Sequence, residues 1–247
     1  MQETRALAPA ETRQASVKLS DCAICEGRGF VSRKMENDLM YDFLCECKKV
    51  STSLVMIARS GLQDAIERMT LDAFIATAPW QQRVKAAAKD FVYKADGAWF
   101  FIGGQTGCGK THICTAIVGE LLKRGRPSLY MRWKDDSAML KAMTGDSRAY
   151  LEKITPWKDI DVLYIDDFLK TPGADTPTKG DLNLAFEIIN YRYSNPRLIT
   201  IISSEGMLGE ITAIDAAIGG RIKERAGRFV LNVEREDGRD KRVQATA

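Results

Sequence analysis

The segment Gly104-Gln105-Thr106-Gly107-Cys108-Gly109-Lys110-Thr111 fits the pattern G-x-x-x-x-G-K-[ST]. It follows the apolar run Trp99-Phe100-Phe101-Ile102 and opens a periodic stretch from Thr111 to Arg124. A buried strand, a glycine-rich loop and a helix in that order leave few possible folds. The glycines let backbone N–H groups curl round phosphate oxygens at a helix N-terminus, where partial positive charge collects. Lys110 would reach the β- and γ-phosphates, and the Thr111 hydroxyl would ligate Mg²⁺. Such a unit belongs in a parallel sheet covered by helices on both faces.

The rest of the chain fits that sheet. Leu129–Met131, Val162–Ile165, Leu198–Ile202 and Arg228–Val233 read as further strands, and Leu182–Tyr193 and the region around Ile218–Arg225 as helices. On Leu182–Tyr193, Leu182, Phe186 and Ile189 share one face. Gly125 and Pro127 close the helix that follows the phosphate loop. Upstream, Ser51–Met69 carries the apolar period of one helix, Thr70–Pro79 reads as a connection, and Gln81–Lys94 as another helix. With 36 basic and 33 acidic residues the net charge is only +3, so any nucleic-acid surface must be local. No apolar run reaches the roughly 18 residues of a spanning helix, and residues 1–20 carry no signal-type apolar core. A cytoplasmic protein with a polar N-terminal tail is the expectation.

Two aspartates, Asp166 and Asp167, end the Val162–Ile165 run. In this type of sheet that strand end lies beside the phosphates. Asp166 is the candidate Mg²⁺-side carboxylate, and Asp167 the candidate base that polarises the attacking water. Ser203 and Ser204 end the next strand, where a hydroxyl can sense the γ-phosphate, with Ser204 the candidate; a helix-capping pair is the alternative. Arg221 and Arg225 stand one helical turn apart, and from spacing alone a solvated helix face explains them. His112, the single histidine, lies next to the loop as a candidate nucleotide-side residue, with a structural role as the alternative. Cys108 lies inside the loop and Cys114 faces the core.

Four cysteines cluster upstream: Cys22-x-x-Cys25 and Cys45-x-Cys47. Two close pairs supply four thiolates for a tetrahedral Zn²⁺, and Gly27 and Gly29 allow the first knuckle to fold tightly. Four thiolates leave no open position, so the ion would be structural. A redox pair is the rival reading. Lys134, Lys141, Arg148 and Lys153, interleaved with Met139, Met143 and Tyr150, could line a groove for single-stranded nucleic acid. Asp135, Asp136, Asp146 and Glu152 nearby equally suit a solvated helix face.

In order, the four cysteines, Gly-Gln-Thr-Gly-Cys-Gly-Lys-Thr-His, Val-Leu-Tyr-Ile-Asp-Asp-Phe, Ile-Ile-Asn-Tyr-Arg-Tyr (188–193) and Gly-Gly-Arg-Ile-Lys-Glu-Arg resemble the DnaC/DnaI helicase-loader group of AAA+ ATPases, phage or prophage type. The related IstB transposition helpers share the ATPase core but typically lack the cysteine module. The resemblance implies an α/β fold, an AAA+ P-loop core with a parallel sheet flanked by helices, plus a small zinc-binding module. It divides the chain into a tail (1–20), the four-cysteine zinc-binding module (21–50), a connecting helix and linker (51–75) and the ATPase domain (76–247). It implies Mg²⁺-dependent, switch-like ATP hydrolysis and delivery of a replicative hexameric helicase onto single-stranded DNA, with loaders self-associating through the ATPase domain. ATP or ADP, Mg²⁺ and Zn²⁺ are the implied ligands. Carried over by position, Lys110 and Thr111 form Walker A and Asp166 and Asp167 Walker B. Arg221 matches the arginine finger acting across a subunit interface, Arg225 is the second arginine of that segment, and Arg192 matches an arginine of open role. The family's sensor strand often ends Thr-Ser-Asn, whereas here Ser203-Ser204-Glu205 brings a carboxylate towards the phosphates. A small-molecule phosphotransferase is the remaining alternative, and it would want a substrate lid; none is expected after the last strand.

Overall fold

The computed structural model describes residues 22–35, 38–59, 62–143, 145–171 and 176–234. The expected N-terminal tail and the charged stretch after the last strand lie outside them. The chain divides into two compact units, one running through Ser51 and the other from Thr52.

The first unit is built on an antiparallel hairpin of β1 (Phe30–Lys34) and β2 (Met40–Leu44), with Phe30 opposite Leu44 and Lys34 opposite Met40. Both strands are largely exposed. Among the described residues of this unit only Cys25, Gly29, Cys45 and Val50 are buried. A two-stranded hairpin is marginal in water on its own, so the cysteines at its base are the natural fastening. Cys45 caps a helix, α1 (Glu46–Arg59): its carbonyl accepts from the Lys48 and Lys49 N–H groups at 2.9 and 3.1 Å. Cys47 lies in the first turn of α1, which explains how the short C-x-C spacing turns both sulfurs to one side.

The single helix expected over Ser51–Met69 is two, the end of α1 and α2 (Gln63–Arg68). Then follow α3 (Pro79–Lys94), β3 (Trp99–Gly104), α4 (Lys110–Lys123), β4 (Ser128–Arg132), α5 (Trp133–Ala142), α6 (Ser147–Asp159), β5 (Val162–Asp166) and α7 (Lys179–Tyr193). β6 (Ile199–Ser204), α8 (Leu208–Ile214), α9 (Ala216–Ala226) and β7 (Val230–Val233) complete the unit. Arg228 and Phe229, expected in the last strand, form a 3-10 turn before it.

Five parallel strands lie in the order β4-β5-β6-β3-β7. Their side chains alternate between two cores, as strand geometry requires. Phe100 and Ile102 pack with Phe91 of α3 and Ile113 and Ile117 of α4. Trp99 and Phe101 pack on the other face with Ile188 and Ile189 of α7 and Ile218 and Ile222 of α9. Leu62, Leu71 and Phe74 belong to the first core. Phe186 does not share the buried face of α7 as expected; it is 37% exposed, and Leu184, Ala185 and Ile188 are buried instead. Among the described residues, no helix is long and apolar enough to cross a membrane.

Candidate functional site

The register brings the chemistry to one end of the sheet. Gly103 pairs with Ser204, Gly104 with Val233, and Asp166 with Arg132. Because β6 lies between β3 and β5, the phosphate loop after β3, the serines of β6 and the aspartates after β5 share one edge. Gly104 must be glycine: at φ +121, a Cβ there would sit 1.9 Å from the Val233 carbonyl oxygen. The left-handed Gly109 starts α4, and Lys110, only 7% exposed, donates from Nζ to the Gly104 and Gln105 carbonyls at 2.8 Å each. The ammonium therefore lies under the arch of the loop.

Asp166 is buried and accepts from four hydroxyls. Tyr164 donates to Oδ1 at 2.7 Å and Thr111 at 3.4 Å, Tyr130 donates to Oδ2 at 3.0 Å, and Ser203 makes a short bond to Oδ1. Burial, followed by the charge of Asp166, pushes the Tyr130 phenol well up; burial, followed by Cys114 and Asp166, does the same to Tyr164. Both tyrosines are therefore protonated donors that hold the carboxylate in place. Tyr164 was legible in the sequence, since in a strand residues i and i+2 share a face. Tyr130 was not, because its role depends on pairing with Tyr164 across β4 and β5.

Asp167 follows with φ 53, in the left-handed region, and its N–H donates to Ser203 Oγ at 3.2 Å. Its carboxylate is paired with Lys170 at 3.2 Å, and Lys170 also pairs with Glu205 at 2.7 Å. Glu205 accepts a bond from Thr106 of the loop at 3.3 Å. Burial raises the Glu205 carboxyl, but the Lys170 ammonium outweighs it and holds the group below its ordinary range. The repulsion expected of a carboxylate here is thus relieved by a lysine that sequence reading overlooked.

Several expected site residues face elsewhere. Ser204 turns to the opposite face of β6, donates to the Phe168 carbonyl at 2.9 Å and accepts from Gly206 N–H at 3.2 Å. Strand alternation thus puts Ser203, rather than Ser204, against Asp166. His112 joins the Thr70 carbonyl at 2.9 Å and meets the Phe74 ring edge-on at 5.3 Å, a structural role. Arg225 does not approach the loop of its own chain. It donates to the carbonyls of Tyr193, Pro196 and Leu198, and closely to Gly97, just before the opposite end of β3.

Arg221 donates to Asn190 Oδ1 at 3.1 Å and to the Ala217 carbonyl at 2.9 Å, and it lies over the Phe186 and Tyr193 rings. Residues 188–193 and 219–225 are therefore one bonded unit on α7 and α9. Gly219 permits the close approach of α9 to α8, since a Cβ would fall 2.2 Å from Thr212 Oγ1.

Of the basic residues proposed for nucleic acid, Lys141 is bound to the buried Asp181 at 2.6 Å, Arg148 to Glu152 at 2.9 Å, and Lys153 sits over the Trp157 ring. Lys141 is thus withdrawn from the expected groove.

The four upstream sulfurs lie within 4.8 Å of one another and could hold a metal ion. Cys22 and Cys45 are 3.8 Å apart and Cys25 and Cys47 3.4 Å, against about 3.8 Å for a tetrahedron with 2.3 Å Zn–S bonds. Gly27 and Gly29, at φ 84 and 77, make the knuckle, and Gly29 N–H donates to Cys25 Sγ at 3.3 Å. Backbone N–H groups of Cys25 and Ile24 pull the Cys22 thiol down to about 6, favouring the thiolate a metal needs.

Comparison with known proteins adds four findings. The family described as IstB-like ATP binding protein matches residues 49–225. The uncharacterized protein YqaM of Bacillus subtilis (strain 168) is 30% identical over 203 residues, 77% of this chain, and the match spans 63% of that relative's length. The replicative helicase loader DnaC of Escherichia coli (strain K12) is 26% identical over 170 residues, 68% of this chain and 66% of DnaC. The crystal structure of DnaI superposes with a TM-score of 0.54 at 21% identity, over 72% of this chain and 93% of that one, which establishes a shared fold.

Proposed function

Because the chain belongs to the family of IstB-like ATP-binding proteins, we propose that it is an ATP-hydrolysing loader that delivers a replicative hexameric helicase onto single-stranded DNA. The observation that carries the ATP site is Thr111 Oγ1 at 3.4 Å from an Asp166 that three further hydroxyls hold in place. Residues 104–111 would take the phosphates, with Lys110 exchanging the carbonyls of Gly104 and Gln105 for phosphate oxygens. Thr111 and Asp166 would hold Mg²⁺, which would supply positive charge to neutralise the phosphates. Asp167 is the base that orients the attacking water. Arg221, presented on α9, acts on the nucleotide of a neighbouring copy.

The helicase reading rests on the likeness to DnaC together with the cysteine module, which lies outside the matched residues 49–225. A transposition helper is the second reading, favoured by the family description itself. Loading is tested by adding the protein to the replicative helicase of its own host and closed circular single-stranded DNA coated with binding protein. ATP-dependent unwinding that needs this chain supports loading. Unwinding that is indifferent to it, alongside ATP-dependent stimulation of a transposase, would transfer the assignment to the second reading.

A further inference from the structure

Lys170 has no part in the hydrolytic machinery described so far, yet it is held at its centre. Its Nζ lies 2.7 Å from Glu205 and 3.2 Å from Asp167, and Glu205 is bonded to Thr106 in the phosphate loop. The turn that brings it there is over-determined. Asp167 and Leu169 are both left-handed, at φ 53 and 63, a conformation a leucine rarely adopts. Phe168 is fastened to β6 on both sides, its N–H donating to the Ser203 carbonyl at 2.8 Å and its carbonyl accepting from Ser204 at 2.9 Å. Lys170 N–H then donates back to the Asp167 carbonyl at 3.0 Å. Strained backbone persists where the surroundings enforce it, and it gathers at functional sites.

Stability does not explain the arrangement. The three side chains are each more than a third exposed, and ion pairs of that kind contribute little. Charge does explain it. Asp166, Asp167 and Glu205 stand together, and a γ-phosphate would add further negative charge among them. Lys170 is bonded to two of these carboxylates, whereas Lys110 donates to the Gly104 and Gln105 carbonyls.

We propose that Lys170 reads the γ-phosphate: in the ATP state its ammonium leaves Glu205 for the γ-phosphate oxygens and frees Asp167, and in the ADP state it remains between the two carboxylates. Glu205 is then the counter-charge that holds the lysine in reserve and ties that state to Thr106. Its position where the family often has asparagine follows from this pairing. The proposal rests on the ATP-site reading above, not on helicase loading.

The test is the affinity of full-length protein, with Mg²⁺, for ADP and for a non-hydrolysable ATP analogue. Lys170→Ala should weaken the analogue about tenfold, the effect of one charge-assisted hydrogen bond, and leave ADP within about twofold. Lys170→Arg should keep most of the discrimination. Glu205→Gln should tighten the analogue relative to ADP, because the lysine loses its competing anion. Equal effects of Lys170→Ala on both nucleotides, or none on either, would overturn the proposal while the ATP site stands. So would a Glu205→Gln protein that loses the analogue as Lys170→Ala does. Failure of the wild-type protein to bind either nucleotide would overturn the ATP site, and this reading with it.

Discussion

Ser203 and Ser204 are neighbours of the same type, and the structure gives them opposite tasks. Ser203 faces α4, bonds Asp166 and receives the Asp167 N–H; Ser204 faces away and fastens Phe168. Ser203→Ala should leave ATP binding near normal and slow hydrolysis about tenfold, by loosening both carboxylates. Ser204→Ala should cost about 1 kcal/mol of stability and leave the hydrolytic rate within about twofold. Steady-state hydrolysis and thermal melting of the two variants check this, and the reverse pattern would reinstate Ser204 as the sensor. The sequence identified the phosphate loop and the aspartate pair because their spacing is local. It named Ser204, whereas Ser203 is the serine that bonds Asp166, because the face a strand residue takes depends on register. Arg192 shows the same limit. It is fully buried and donates to Thr200 Oγ1 and to the carbonyls of Trp157, Lys158, Ile160, Asp161 and Ile199. It closes the C-terminal end of α6, where carbonyls lack partners within the helix, and sequence alone had left its role open.

At the scale of elements, strands were the most legible part, since short apolar runs ending in glycine or aspartate admit few other readings. The basic stretch after β4 was the least. Lys141 read as a groove residue because its partner is distant: Asp181 lies at the start of α7, forty residues beyond it. Lys141→Ala should therefore leave the salt dependence of single-stranded DNA binding unchanged and cost about 1–2 kcal/mol of stability, the lysine being partly exposed. Burial alone would raise the Asp181 carboxyl, but Lys141 and Thr178 hold it below its ordinary range. The pair thus stabilises the fold above the unfolded carboxyl value near 3.9 and loses that contribution as pH falls through the folded one. Urea unfolding across pH 2–7 should show the wild type and Lys141→Ala converging at the acid end. Among its described residues the β1–β2 hairpin is largely exposed, so metal removal should act on it selectively. Chelation should raise amide exchange across residues 22–50 and expose four thiols, while the parallel sheet keeps its protection. Native protein without bound zinc would remove that site.

At the scale of the molecule, the sheet order places β6 between the loop and the aspartates, and the α7–α9 unit carries Arg221. Asn190 and the rings of Phe186 and Tyr193 hold Arg221 outside the phosphate edge of its own chain, which suits action on a neighbour. Arg221→Ala should keep nucleotide affinity and lose most of the hydrolysis that rises with protein concentration; an equal loss in dilute protein would place its action within one chain. The family and the fold were legible from motif order, because phosphate-binding chemistry fixes residue types along the chain. Which partner receives the ATP signal was not, because partner surfaces carry no such fixed pattern. The central claim is therefore met most directly by light scattering on a sizing column. The full chain is mixed with the replicative helicase of its own host, with and without a non-hydrolysable ATP analogue. A stable complex whose mass changes with nucleotide is the predicted result. Two separate peaks under every nucleotide condition would contradict it.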